Sequence, residues 1–358
     1  LIGAGEGTVC RNILVVFFVL LAIGAGVLAL GYAHWVEALE AADPVSEDTV
    51  LVQVEPGSST SDIAGMLEDE GLIRAGWAFV LLSRIRGRDG EIRAGWYALH
   101  PGMTQEQVLD KLVRGETASL QFTIPEGLTA GGVVERLVDR GLGEEDALWE
   151  ALQDDEVINP IRAWLPDDYA AGEVCPEYEI PASILEGYLF PDTYTVDHDV
   201  VEKEIVQMMV NRFSAYWNEE RANLAGELGL TPHEVVTLAS IVEREAQVDA
   251  ERPKIASVFL NRLERDMLLG ACSTVMYVQG RTSGPVLDED TEIESPYNTY
   301  RVPDLPPGPI ASPGAASIDA VLNPASTDYL YFVSRGDGTH AFAQTYSEHL
   351  RNAAEYAD

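Results

Sequence analysis

Two glutamates close an apolar stretch, Leu238-Ala239-Ser240-Ile241-Val242-Glu243-Arg244-Glu245-Ala246. A carboxyl held against apolar surface is biased towards the neutral acid, and a neutral acid can protonate a leaving group. The apolar spacing predicts a helix over 231–246. On a helix, residues two apart point about 200° from each other. Only one of the pair can therefore face a given groove, and the residues alone leave open which. The plain alternative is a helix whose polar face carries Glu because Glu is a good helix former.

Other residue types narrow the chemistry. The six histidines are scattered, and no His/Cys cluster has metal-ligand spacing, so neither a metal nor a cofactor is expected. The chain has 59 acidic against 23 basic residues, a net charge of −36, with three lysines, Lys111, Lys203 and Lys254. That balance argues against nucleic acid, or an anionic membrane surface, as a partner held by charge. It suits a neutral or cationic ligand or a salty environment, and an acidic, arginine-preferring proteome gives the same numbers.

The elements that must position a catalytic carboxyl follow an anchor. Ile13–Tyr32 is a run without charge, long enough to span a bilayer as a helix. Arg11 precedes it; Glu37, Glu40, Asp43, Glu47 and Asp48 follow, with no basic residue until Arg74. The charge asymmetry puts the N-terminus in the cytoplasm and the bulk of the chain outside, with Tyr32 and Trp35 at the interface. A cleaved signal peptide would have a shorter apolar core. The expected layout is a cytoplasmic tail 1–12, a transmembrane helix 13–34 and a linker 35–46. The chain opens on Leu1, so its true start is expected to lie elsewhere.

A threefold repeat comes next. Val54-Glu-Pro-Gly57, Leu99-His-Pro-Gly102 and Ile124-Pro-Glu-Gly127 each follow a β-rich run: Val50–Val54, Gly95–Leu99 and Ser119–Ile124. Ser59, Thr104 and Thr129, two residues after each glycine, are candidate N-caps. Apolar periodicity then reaches Leu67, Leu112 and Leu137. This is one strand–turn–helix unit used three times, either to hold a ligand or as a spacer. Residues 144–153 read as helical. Residues 154–183 form an irregular insert carrying Cys175. A second domain, 184–358, opens with Glu186-Gly187-Tyr188-Leu189-Phe190-Pro191-Asp192-Thr193-Tyr194. Helical patterns run over 200–217, 231–246 and 252–265. Beyond residue 266 periodicity fades into proline-rich turns. A hairpin is expected from 329–333 and 339–342 around Gly336-Asp337-Gly338, then a last helix carrying His349.

Seven stretches in this order resemble the YceG-like family of endolytic murein transglycosylases: EGYLFPDTY at 186–194, LASIVEREA at 238–246, IASVFLNRL at 255–263, SPYNTY at 295–300, LPPGPIASPG at 305–314, YLYFVSRGDGTHAF at 329–342 and SEHL at 347–350. The resemblance implies an α+β protein: one N-terminal transmembrane helix, a small LysM-like β/α module over 47–153, and a mixed α+β catalytic domain. It implies cleavage of nascent peptidoglycan strands with 1,6-anhydro-N-acetylmuramic ends, as a terminase of glycan elongation. Partners would be the glycan strands, with penicillin-binding proteins or other cell-wall synthases. A non-catalytic glycan-binding or divisome scaffold is the alternative.

Aligned residue by residue, the family's catalytic glutamate falls on Glu245. Glu243 is then expected to face elsewhere, paired with Arg244 or Arg252, as a support. Glu186, Asn261, Tyr297, Asn298 and Tyr300 are the expected substrate-binding residues; the alternatives are that Asn261 orients Glu245 and that SPYNTY is a structural turn with buried tyrosines. His340 and His349 recur in the family pattern but read as satisfied structural histidines. PPG at 306–308 and SPG at 312–314 read as turn architecture. The chain departs from the family at Gly270-Ala271-Cys272-Ser273-Thr274, where members usually carry Gln-x-Asp-Pro-Thr. Cys175 and Cys272 both lie at places unlike the family and on the side where disulfides persist, so a bond between them is expected.

Overall fold

The structure, a computed structural model, describes residues 6–167, 169 and 183–356, with side chains from residue 14 onward. It is an α+β protein whose chain divides into two compact units, Leu1–Leu120 with Asp197–Asp199, and Gln121–Val196 with Val200–Asp358.

The first unit begins with α1 (Glu6–Leu39), of which Leu14–Leu39 is long and apolar enough to cross a membrane, with mean hydropathy 2.8 in its most apolar window. The elements β1 (Val50–Val54), α2 (Thr60–Asp69), α3 (Gly76–Ile85), β2 (Gly95–Leu99) and α4 (Gln105–Arg114) follow. β1 and β2 pair antiparallel, from Val50 opposite Leu99 to Val54 opposite Gly95. Their inward residues Val52, Val54, Tyr97 and Leu99 meet Ile63 and Leu67 of α2, Phe79 of α3, and Val108 and Leu112 of α4. The caps lie where the repeat places them. Ser59 and Thr104 each accept from the backbone N–H three residues on, and Asp62 and Gln107 return the bond.

The third copy of the repeat belongs to the second unit. There β3 (Ser119–Thr123) pairs with β4 (Thr193–Asp197), and Thr129 caps α5 (Ala130–Asp139) through Gly132 N. So the contacts divide the chain near residue 120, ahead of the 153 expected from the repeat. The unit continues through α6 (Glu145–Ala151), α7 (Asp155–Ile158), α8 (Glu202–Tyr216), α9 (Glu219–Glu227), α10 (Pro232–Glu245), α11 (Arg252–Leu263), α12 (Cys272–Val278), α13 (Ala315–Leu322), the antiparallel hairpin β5 (Tyr331–Ser334) and β6 (His340–Ala343), and α14 (Tyr346–Tyr356).

The central helix, α10, starts at a capping box between Thr231 and Glu234, with Pro232 in the first turn. It is buried from Val235 to Val242 and packs against α11, α12 and α13. Two of those partners lie between residue 266 and the hairpin, a stretch where turns and no helix were expected. α12 (CSTVMYV) and α13 (AASIDAVL) are short and mostly apolar or small around their circumference, so they carry no polar stripe to reveal a helical period.

Candidate active site

One face of α10 holds the loop from Pro307 to Gly314 at three points. His233 Nε2 lies 2.9 Å from Pro307 O, Ile310 N donates to Ser240 Oγ at 3.0 Å, and Gly314 N donates to Glu243 Oε2 at 3.0 Å. The three residues are seven and then three apart, which brings them back to one side of a helix. Burial lowers the His233 pKa, and Tyr188 Oη sits 2.7 Å from its Nδ1. The neutral ring thus accepts from Tyr188 and donates to Pro307 O. Below this loop, Gly187 has φ +84 and no room for a Cβ against the Pro309 ring, so glycine is required there twice over.

Glu243 is locked in place. Its side chain is 7% exposed and its Oε1 lies 3.0 Å from Arg252 Nη1. Oε2 accepts from Ser317 Oγ at 2.8 Å as well as from Gly314 N. Arg252, 9% exposed, also reaches Asp249 Oδ1 at 3.2 Å and Glu126 Oε2 at 3.9 Å. Of the two arginines expected beside Glu243, Arg252 is the partner. Arg244 instead donates to Gly127 O at 3.3 Å and Thr282 O at 2.5 Å. The turn of the third repeat is tied in further: Gly127 N donates to Ser312 O at 2.8 Å, and Ser312 N to Leu128 O at 2.7 Å. Burial, then the charge of Glu243, raises the Glu126 pKa.

Glu245, two residues on, turns the other way. It is half-buried, and its Oε1 accepts from Ser273 N at 3.0 Å. Beside it, Cys272 Sγ and Tyr300 Oη lie 3.1 Å apart, near enough for the Glu245 charge to act on both. Burial is the main cause raising both the thiol and the phenol pKa. The Gly270–Thr274 segment that departs from the family thus stands directly against this carboxyl. Its backbone is ordered by Gly270 N donating to Thr299 O at 3.0 Å, and by Ala271 N and Thr274 Oγ1 at 2.9 Å from Thr299 Oγ1.

The other expected contacts divide. Tyr300 joins Glu245. Asn261 spends its amide on Thr327 O and Tyr329 O at 2.8 and 2.9 Å, fixing the approach to β5. Asn298 is fully buried; its amide donates to Thr291 O and Ile293 O, and its Oδ1 accepts from Tyr300 N. Tyr297 is 7% exposed and packs on Tyr277, with burial pushing its pKa up to about 12. Glu186, 2% exposed, accepts from Ala130 N at 3.0 Å at the start of α5, and burial raises its pKa to about 8. Each of these side chains has a partner inside the protein. His340 is likewise structural, its Nδ1 2.8 Å from Glu251 Oε2. His349 stacks on Tyr331. Among the described residues Cys272 has no disulfide partner; Cys175 lies outside them.

Sequence reasoning missed Ser273, Gly314, Ser317 and Glu126. The first contributes a backbone N–H, which any residue but proline has. Gly314 and Ser317 sit at the start of the unforeseen α13. Glu126 alone left a trace: its repeat copy reads Pro-Glu-Gly where the others read Glu-Pro-Gly and His-Pro-Gly.

The model of the YceG-like family matches residues 52–355. An endolytic murein transglycosylase of Bacillus subtilis (strain 168) is 35% identical over 320 residues, covering 89% of this chain and 88% of that protein. One from Streptococcus pneumoniae serotype 2 (strain D39) is 32% identical over 365 residues, covering 96% of this chain and 64% of that protein. A crystal structure of a yceG-like protein from Listeria monocytogenes superposes with TM-score 0.57 at 33% identity, covering 86% of this chain and 99% of the other. The chain belongs to the YceG-like family.

Proposed function

We propose that this chain is a membrane-anchored endolytic lytic transglycosylase that cuts nascent peptidoglycan strands, with Glu245 as the single general acid and base. The observation that carries the reading is the contrast at the end of α10: Glu245 is half-buried against Ser273 N, Cys272 and Tyr300, while Glu243 is shut into its bonds with Arg252, Ser317 and Gly314. A glycosidase that uses water needs two working carboxyl groups at a set separation. One acid suffices when the nucleophile is on the substrate. Glu245 donates its proton to the glycosidic oxygen between a muramic residue and its neighbour, and that bond breaks as an oxocarbenium-like state forms. The muramic C6 hydroxyl then attacks C1 and gives its proton back to the carboxylate. The neighbour leaves with a free hydroxyl, and the muramic end closes as a 1,6-anhydro ring. No water is consumed.

The anchor is α1, crossing once with its N-terminus in the cytoplasm, so that cleavage near the membrane ends glycan elongation. Penicillin-binding proteins or other synthases would be the neighbours supplying the strand. The antiparallel β1–β2 pair with two helices between its strands supports a small LysM-like module that holds the strand. A Cys175–Cys272 disulfide would tie the 154–183 insert to the segment beside Glu245. Two thiols titrating in the non-reduced, denatured 36–358 fragment would exclude it.

The decisive test is mass spectrometry of muropeptides released from uncrosslinked glycan strands by the full chain in detergent, with and without EDTA. Anhydro ends, unchanged by EDTA, are expected. Reducing-end muramic acid would mean that water attacks. Strand binding with no cleavage would favour a glycan-binding scaffold.

A further inference from the structure

The first unit leaves one helix face unexplained. On α3, Trp77, Leu81 and Ile85 are 50%, 39% and 61% exposed. They stand four residues apart and so form one stripe along the helix. The neighbouring helices expose acids and bases instead: Asp62, Glu68 and Asp69 on α2, Glu106, Asp110 and Arg114 on α4. A contiguous apolar stripe on an exposed helix face marks a surface that is covered in use.

The stripe continues directly from the apolar span. Trp77 stacks on His34 of α1, ring centroids 5.8 Å apart. At about 1.5 Å per residue, Ile13–Tyr32 reaches about 30 Å, the thickness of the hydrocarbon core. His34, just past its end, falls at headgroup level, and Trp77 with it. The attachment is not loose. Trp35 Nε1 donates to Ala78 O at 3.4 Å, and Arg74 Nε to Ala41 O at 2.7 Å. The buried amide of Gln105 donates to Ala38 O at 2.8 Å and to Ala75 O at 3.1 Å, joining the last turn of α1 to the start of α3. The depth of α3 is therefore set by α1.

We infer that the Trp77–Leu81–Ile85 face of α3 seats in the headgroup and upper acyl region of the outer leaflet, so that the first unit lies on the bilayer. This rests on α1 crossing the membrane. The seat is apolar, not ionic. The arginines at the end of α3 are matched by carboxylates, Arg84 with Asp89, Arg86 with Glu106 and Arg88 with Glu91. Seating should accordingly occur on zwitterionic lipid and survive high salt.

The full chain, reconstituted in phosphatidylcholine vesicles, reads this out by tryptophan quenching with nitroxides placed near the headgroup or deep in the acyl chain. Trp77→Phe should remove a component quenched mainly by the shallow label, and Leu81→Glu with Ile85→Glu should release Trp77 from it while the far-UV spectrum stays unchanged. Equal quenching in the parent and Trp77→Phe, with both retained through an alkaline carbonate wash, overturns the seating of α3 alone. Release of the parent chain by carbonate overturns the anchor, and this inference with it. A dimer that forms in detergent through α3 and persists in vesicles with Trp77 unquenched would assign the face to a second copy and overturn the lipid seat.

Discussion

The end of α10 sets two carboxyl groups in unlike surroundings. On one side Glu243 meets a guanidinium, a hydroxyl and a backbone N–H, with little solvent left. On the other, Glu245 meets one backbone N–H and a wall made of a thiol and a phenol. The first group anchors the loop through Gly314 and is held by Arg252 and Ser317 as well. The second is only half-buried and accepts from Ser273 N. The same residue type two positions apart thus meets two different environments, because the helix turns about 200° between them; in the function proposed above, one supports and the other does the chemistry.

Substitutions can break that contrast. Glu245→Gln keeps size and a hydrogen-bond acceptor but cannot donate and retake a proton. Turnover should fall by at least about 100-fold with the fold intact, since general acid–base catalysis contributes on the order of 10²–10⁴. Glu243→Gln should retain substantial activity, and the reverse ranking in an anhydro-end assay would move the chemistry to Glu243. Arg252→Met tests the supporting side. It leaves Glu243 buried without its cation, a change that typically costs about 3–5 kcal/mol, read as a lowered midpoint in urea. No loss of stability would show that Ser317 and Gly314 hold Glu243 unaided.

Glu186 sharpens the comparison from a third environment, since it is buried like Glu243 but has no arginine. Its folded pKa, about 8, stands above its ordinary 4.5. The stability it contributes is full below about pH 4.5 and is lost as pH rises towards 8, because the unfolded chain ionises first. Glu186→Gln should therefore gain melting temperature relative to the parent across that window. A difference independent of pH would mean that Glu186 is ionised in the fold. The smallest effect is expected from Tyr300→Phe, which keeps the ring wall and removes its hydroxyl from Cys272. A loss of about tenfold or less would place Tyr300 in the wall, and a loss matching Glu245→Gln would make it a proton carrier.

The repeat shows how far the residues alone reach. Pro/Gly turns, caps and leucine spacing are local, and all three strand–turn–helix copies form where they are read. Which unit each copy joins is decided by distant contacts, so the third copy's place beside α10 left no mark beyond Glu126. The site divides in the same way. That Glu243 and Glu245 must face apart follows from helix geometry, and the pairing with Arg252 was one of two arginines foreseen. The partners of Asn261, Asn298 and Glu186 are largely backbone groups, which carry no residue signature. A polar side chain read as a ligand contact is, at these positions, satisfied by the chain itself.

The pairing of Gly127 and Leu128 with Ser312 bears on when the protein becomes an enzyme. Ser312 follows the turn by about half the chain, so this contact closes late in synthesis and carries a large loop-closure cost. The first unit, built from neighbours along the chain except for Asp197–Asp199, can largely fold while the rest is still emerging. The carboxyls on α10 gain their full surroundings only once the chain has been made as far as Ser317. Until then a nascent molecule would be folded over its first unit, yet would lack the surroundings that set its two α10 carboxyls apart.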